Sequence, residues 1–277
     1  MHSKSMNSAN LLNFSPWARF GILATTVVSL AAFTWPFYLP DSILGLQLTQ
    51  QHYWIFFLIV PISLFLLAIE INRGVVELSA LALLAVLAAL AAALRQIGAG
   101  AVGIEPMWFL IILAARVFGA TFGFALGAIS MALSAVLTGG IGPWLPFQIM
   151  AAAWIGLFAG SLPRSIRGRY EIAMLFVVAI ISGMTFGFLM DLQLWPWVVG
   201  SDTAISFVPG AGIDENFDRF ITFHFLTAMA WDIPRSIITA SLIVITASPI
   251  LNALRRTKRR VLFVESINEH ATVRKAA

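Results

Sequence analysis

The chain has 277 residues, of which 60% are hydrophobic and 11% are charged, and its mean hydropathy is +0.90. Such a composition excludes a soluble globular domain and indicates a protein that crosses the membrane several times. The chain has no cysteine, which excludes disulfides and thiolate chemistry. The net charge of +4 does not indicate nucleic-acid binding, because the basic residues lie at predicted helix ends and in the C-terminal tail.

The apolar segments predict eight membrane spans, since a helix needs about 17–25 apolar residues to cross a bilayer. A cytoplasmic tail, residues 1–17, precedes the segment 18–72, which contains two spans at about 18–39 and 52–69. The segment 73–254 contains six further spans, at about 75–94, 106–116, 120–137, 147–162 and 172–190, with the last ending at residue 254. A basic cytoplasmic tail, residues 255–277, follows. We therefore predict an all-α integral membrane protein with a six-helix core preceded by two extra transmembrane helices.

The distribution of Lys and Arg predicts the orientation of the chain. If both termini are cytoplasmic, 14 of the 17 Lys and Arg residues lie on the cytoplasmic side, as the positive-inside rule requires. We therefore predict a multi-pass protein of the plasma membrane. Its external side then carries three unusual loops, residues 95–105, 138–146 and 191–218.

The loop from Thr138 to Pro146 is the most unusual stretch of the chain. Its three glycines permit backbone angles that a side chain would forbid, and its two prolines each remove an N–H donor. The apolar sequence on both sides predicts a tight turn between two membrane helices. Trp144 and Gln148 would then provide an aromatic face and a polar handle. An ordinary interfacial turn with a tryptophan anchor is an equally good interpretation.

Charged side chains near the membrane are costly and often functional. Arg95 ends the third span and Glu105 begins the fourth on the same predicted side, and we expect them to pair across their loop rather than contact a ligand. Asp232 and Arg235 lie three residues apart, where they can pair on one helix face. The apolar segment 220–230 just before them predicts an external flap or an extension of the last span.

These observations predict a substrate-binding site on the external side, beneath the three loops. Such sites are mostly apolar with a few convergent polar groups. The polar candidates are Gln148, Asp232 and Arg235, with Arg95 and Glu105 at the rim. The aromatic candidates are Trp144, Trp195 and Trp231, with Trp197 beside them. Tryptophan is equally typical of interfacial belts, so the aromatic residues alone decide little.

Two sets of small residues predict close helix packing. Ala85, Ala89 and Ala93 repeat at a spacing of four in the third span, which indicates either an interface with a partner membrane subunit or packing within the bundle. The fifth span carries glycines at 119, 123 and 127, for which internal packing is the better interpretation.

Motifs of common enzyme classes do not occur in the sequence. It contains no GxxxxGK[ST] loop for nucleotide phosphates, no HExxH metal site and no GxSxG nucleophile elbow. The four histidines are scattered, and the only dense acidic cluster, residues 214–218, has the composition of a solvated turn. We therefore predict no catalytic residues, no metal and no cofactor.

Four stretches of this sequence resemble the substrate-binding S component of energy-coupling factor (ECF) vitamin transporters. These stretches are Arg116–Gly119, Gly123–Gly127, Leu137–Gln148 and Gly156–Pro163. Trp231–Arg235 and the basic stretch after Leu254 fit the same group, and the resemblance covers about residues 75–260. The most similar subgroup is the actinobacterial type proposed to take up cobalamin.

The resemblance implies an S-component-like core of six helices that binds a vitamin near its external face. It also implies docking on a T-component with two cytosolic ATPase subunits, for which the alanines of the third span are the expected surface. The two extra N-terminal spans depart from the minimal six-helix pattern. The residues also leave two alternatives open: an intramembrane enzyme acting on a lipid-linked substrate, and a membrane assembly factor that binds no ligand.

Overall fold

The computed structural model describes residues 12, 15–38, 78–98, 103–199 and 203–276. Most of the predicted N-terminal tail and the second predicted span, 52–69, lie outside these residues. Within the described ranges every regular element is helical, and the elements are α1 (Pro16–Thr34), a 3-10 turn (Trp35–Phe37), α2 (Leu78–Ile97), α3 (Met107–Phe118), α4 (Ala120–Thr138), α5 (Leu145–Ser161), α6 (Arg169–Val198), α7 (Ile213–Thr227) and α8 (Met229–Ala276).

Five stretches of the described chain are long and apolar enough to cross a membrane. They are Arg19–Phe37, Leu78–Ile97, Ala120–Thr138, Arg169–Val198 and Met229–Phe263. Helices α3 and α5 are also apolar but have only 12 and 17 residues. The all-helical class predicted from the sequence is therefore confirmed, with five candidate membrane spans among the described residues, and the count of six core spans plus two stays a prediction.

Helix α3 is the centre of the bundle. At 12 residues it is about 18 Å long, much less than the roughly 30 Å of a bilayer's hydrocarbon core. Eleven of those residues are buried against neighbouring helices. Because protein rather than lipid surrounds α3, its ends can lie at membrane depth without exposing unpaired backbone groups to hydrocarbon.

The glycines of α4 pack inside the bundle, as the sequence predicts. A Cβ atom on Gly123 would clash with the carbonyl of Gly156 in α5, and one on Gly156 would clash with the carbonyl of Gly123. One turn further along, Gly127 lies against Ala152 in the same way. The two backbones approach so closely because no side chains separate them, and this contact gains the dispersion energy that drives helix association in lipid.

A buried ion pair fixes the end of the bundle that the charge distribution predicts to be cytoplasmic. Arg116, at the end of α3, lies 2.8 Å from Glu171 in α6, and both side chains are 2% exposed. The same guanidinium donates to the carbonyls of residues 162, 163 and 166, each at 2.9 Å. Arg255 of α8 donates to both oxygens of Glu171 at 2.6 and 2.7 Å. Arg116 therefore joins α3, α6 and the loop before α6.

The prediction of a loop over residues 191–218 is wrong for half of that segment, which is helical. Helix α6 continues through Asp191 and Trp195 to Val198, and α7 begins at Ile213. The helix tolerates Asp191 because His224 of α7 pairs with it at 2.7 Å. The segment 220–230 is neither one flap nor a smooth extension of α8, because Ala228 separates the end of α7 from the start of α8. The basic tail beyond residue 254 is a continuation of α8.

Helix α1 belongs to the same packed assembly as the predicted core. Phe33 packs edge-on against Phe147 at the start of α5, with ring centroids 4.9 Å apart. The indole N–H of Trp154 donates to the hydroxyl of Thr26 at 3.2 Å. The first extra span is therefore in direct contact with helix α5, which contributes to the cavity described next.

Candidate ligand-binding cavity

A cavity of about 290 Å³ lies at the end of the bundle where α2 and α4 end and α3, α5 and α8 begin. It brings together residues from positions 95 to 235 of the sequence. Six of the eight substrate-binding residues predicted from the sequence line it: Arg95, Glu105, Trp144, Gln148, Trp231 and Arg235. The arrangement combines two aromatic side chains, two guanidinium groups, a carboxylate and an amide around one space.

Glu105 is the centre of an ionic cluster on the cavity wall. Its Oε2 accepts hydrogen bonds from Arg235 Nε at 2.8 Å and from Trp108 Nε1 at 3.0 Å. Its Oε1 lies 3.5 Å from Arg95 Nε. The predicted Arg95–Glu105 pair is therefore present but long, and the stronger partner of Glu105 is Arg235, 130 residues away in the sequence.

Burial around Glu105 would by itself raise the pKa of its carboxyl group. The positive charges of Arg235 and Arg95 outweigh this effect, and the hydrogen bonds from Trp108 and Arg235 act in the same direction, so the pKa lies below its ordinary value of 4.5. Glu105 is therefore an ionised carboxylate at neutral pH. It holds Arg235 closely, at 2.8 Å, and Arg95 more loosely, at 3.5 Å.

Asp232 lies behind Arg235 and does not line the cavity. Its Oδ1 accepts a hydrogen bond from Arg235 Nη1, and the residue is only 1% exposed. It fits there because Gly187 of α6 has no side chain: a Cβ at that position would overlap the Asp232 carboxylate. The ring of Phe186 lies under the Arg235 guanidinium at 5.1 Å. Asp232 thus positions Arg235 rather than reaching the cavity itself.

The glycine- and proline-rich turn shapes another part of the cavity lining. Gly139 ends α4 in the left-handed conformation with φ of 66°, and the Gly140 N–H donates to the Ala135 carbonyl at 2.9 Å. The Trp144 indole ring lies directly over Gly142, where a Cβ would overlap it. The turn therefore needs glycine at both places, and its result is to fold the Trp144 ring back beside the cavity.

Trp195 is, after Asp232, the second predicted site residue that the structure places outside the cavity lining. It is fully buried in an aromatic cluster with Phe37, Phe207 and Phe220, and its indole N–H donates to the Ile205 carbonyl at 2.7 Å. It does not line the cavity. The prediction assumed a loop around Trp195, whereas the helix continues and turns this ring toward α7 and the 3-10 turn.

Several residues of the site were not singled out from the sequence. Trp108 and Ser134 hold Glu105 and Arg95, and Gly98 and Gly103 line the cavity. Trp108 is three residues after Glu105, a spacing at which helical side chains meet, so this contact could have been found. The contact between Ser134 and Arg95 could not be predicted from the sequence, because it depends on the packing of α4 against α2.

The three predicted interface alanines lie on one outward face of α2. Ala85, Ala89 and Ala93 are all exposed, whereas Ala88 and Ala91 of the same helix are buried in the core. Packing within the bundle is therefore carried by the other alanines of α2. Among the described residues, no other helix covers this alanine ladder, which consists of Ala85, Ala89 and Ala93.

No group of three or more His, Asp or Glu residues in the described ranges is arranged to hold a metal ion. A scan against protein-family models and searches of curated proteins and of solved structures found no match to this chain.

Proposed function

We propose that this chain is the substrate-binding membrane subunit of an ECF-type importer for a vitamin or a related micronutrient. The observation that carries the proposal is the cavity: side chains predicted separately from the sequence, on four different helices or their ends, converge on one partly polar space. A cavity between helices with aromatic walls and a few convergent polar groups is typical of small-molecule sites.

The charges at the two ends of the bundle support the proposed direction of binding. The end with Arg116, Arg164, Arg167 and Arg255 is rich in arginine and would be cytoplasmic under the positive-inside rule. The cavity lies at the opposite end, and ligand would enter it from outside the cell. Both termini would be cytoplasmic in the plasma membrane.

The chain carries no phosphate-binding loop of its own, so the energy for uptake would come from partners. In this proposal a T-component and two cytosolic ATPase subunits supply it. The exposed Ala85, Ala89 and Ala93 would form the contact with the T-component, because small side chains let a second helix approach closely in lipid.

Cobalamin is the ligand that the resemblance names, and it is the first to test. The cavity is at the small end of the range of about 300–1,000 Å³ typical of ligand pockets. A corrinoid would therefore place only one of its groups in this space and lie largely above it. A smaller vitamin would be enclosed.

The experiment is growth of a cobalamin-requiring host that lacks its own importer, expressing this chain with a T-component and ATPases. Trp144→Ala combined with Gln148→Ala should reduce growth without lowering the protein level, because both side chains line the cavity. Trp17→Ala is the matched control, since Trp17 is 76% exposed on α1 and does not line the cavity.

Failure of the unaltered chain to rescue this host would refute the cobalamin assignment. Rescue of a different vitamin auxotroph would keep the importer proposal and change only the substrate. If no vitamin supports growth and none is retained by the purified protein in mass spectrometry, the assembly-factor alternative is favoured. The enzyme alternative would need paired carboxylates beside a substrate site. The dense acidic cluster of Asp214, Glu215 and Asp218 is exposed on α7 and does not line the cavity, where Glu105 is paired with arginines.

A further inference from the structure

The polar groups on the cavity wall are mostly hydrogen-bond donors. Arg95 uses Nη1 to reach the Ser134 hydroxyl at 3.0 Å and Nε to face Glu105 at 3.5 Å, and its Nη2 meets no acceptor among the described residues. The Gln148 side chain likewise has no hydrogen-bond partner within the described part of the chain. A guanidinium has five N–H donors and no acceptor, so Arg95 can still donate to a ligand.

Most side-chain acceptors of the cavity lining are already in use, and the amide oxygen of Gln148 is still open among the residues that the structure describes. Glu105 Oε2 receives two hydrogen bonds, from Arg235 and from Trp108. The Thr138 hydroxyl donates to the Ser134 carbonyl and accepts the Gly140 N–H. Because the free N–H groups of Arg95 and Gln148 outnumber the one open amide oxygen, a ligand that offers acceptors matches this wall better than one that offers only donors.

The two arginines differ in how tightly they are held. Arg235 has close contacts with Glu105 and Asp232, and its side chain is 8% exposed. The Arg95 side chain is twice as exposed, at 16%, and its ion pair is longer than that of Arg235. Arg95 is thus the guanidinium that can turn to a ligand without leaving a buried carboxylate unpaired, because Arg235 and Trp108 still hold Glu105.

We propose that the ligand is a small carboxylic acid whose carboxylate is bound by Arg95 and Gln148, with its apolar body against Trp144 or Trp231. This inference rests on the proposed function and specifies its substrate class. A carboxylate matches the fork of a guanidinium and accepts charge-assisted hydrogen bonds, which are about twice as strong as neutral ones. The cavity volume of about 290 Å³ suits a molecule of that kind and not a whole corrinoid.

The test compares acids with neutral analogues of the same shape. The probes are nicotinate with nicotinamide, pantothenate with pantothenol, and biotin with biotin amide. Binding to the full-length protein in lipid nanodiscs is measured by equilibrium dialysis of labelled probe and by quenching of tryptophan fluorescence. We expect at least one acid to bind at least about tenfold more tightly than its neutral partner, the scale of a hydrogen bond to a charged group.

Variants of Arg95 connect this preference to the proposed contact. Arg95→Gln should abolish the preference for the acid while the neutral analogue binds as before. Arg95→Lys keeps the charge but loses the planar fork, and should retain part of the preference, which covers the case that the glutamine variant does not fold. Arg219→Gln is the matched control, because Arg219 pairs with Glu215 on the surface of α7 and does not line the cavity.

Three outcomes overturn the carboxylate proposal: a difference below tenfold in every pair, no binding of any acid, or a preference that survives Arg95→Gln. Binding of thiamin, riboflavin or cobalamin in the absence of acid binding would leave the importer proposal intact and refute only this inference. Binding of no vitamin of any charge would refute both.

Discussion

Replacement of Glu105 tests whether the ionic cluster holds the cavity together. Glu105→Ala leaves the guanidinium groups of Arg95 and Arg235 and the indole N–H of Trp108 without their shared acceptor. Breaking a buried ion pair by removing one partner costs about 3–5 kcal/mol. We expect about 3 kcal/mol here, because the Glu105 side chain is 18% exposed and Arg235 keeps its contact with Asp232.

The assay is thermal unfolding of the purified protein in detergent, followed by tryptophan fluorescence. A loss of about 3 kcal/mol should lower the Tm by about 6–12 °C for a chain of this size. Glu215→Ala is the matched control, since it also removes a glutamate from an arginine pair, but its side chain is 53% exposed. Exposed pairs contribute at most about 1 kcal/mol, so the control should shift the Tm by no more than about 4 °C.

Glu105 also predicts that the stability of the fold depends on pH. The pKa of Glu105 is lowered in the folded protein, so its ionised carboxylate stabilises the fold at pH values above 4.5. This stabilisation is lost as the pH falls below 4.5. Glu105→Gln should therefore lose less Tm on acidification than the unaltered chain. Equal shifts for Glu105→Ala and Glu215→Ala, or the same acid sensitivity in Glu105→Gln, would refute the structural role of the cluster.

Three further predictions concern topology, docking and packing. A cysteine at Arg167→Cys should resist a membrane-impermeant reagent applied to intact cells, because the loop is predicted to be cytoplasmic; labelling from outside would reverse the orientation. Ala89→Trp should abolish co-purification with a T-component but not ligand binding, because a bulky side chain on the exposed ladder holds a partner helix away; an unchanged yield would show that the ladder faces only lipid. Gly123→Ala should destabilise the protein by about 1–3 kcal/mol, because its Cβ meets the backbone of α5. Gly212→Ala is the control, since it adds a methyl group in open space and should have a smaller effect. Similar Tm values for the two variants would contradict the close α4–α5 contact.

The alanine ladder and the contact between α1 and α5 lie on different helices, which is why Ala89→Trp should impair docking but not ligand binding. Helix α1 packs on α5 through Phe33 and Phe147, next to Gln148 in the sequence, whereas the alanine ladder lies on the outward face of α2. The N-terminal helix therefore contacts a cavity-forming helix. A bulky residue on the ladder changes neither of these contacts.

The sequence by itself determined the class of the protein and several local features. Apolar content and segment length are enough to predict membrane helices, because the bilayer demands them whatever the helices pack against. The turn after Thr138 and the close packing of Gly123 were also predictable, since both follow from what glycine permits locally. The same holds for the Arg95–Glu105 and Asp232–Arg235 pairs, whose members are at most 10 residues apart.

Tertiary structure alone decided which of these features meet. Arg235 reaches Glu105 across 130 residues, and this contact makes the shared ionic cluster on the cavity wall. Helix α6 continues past its predicted end because Asp191 is paired with His224, 33 residues away, and the same continuation buries Trp195. Hydropathy and periodicity describe one segment at a time, whereas the stability of a charge or the exposure of a ring depends on the neighbour that another segment brings to it.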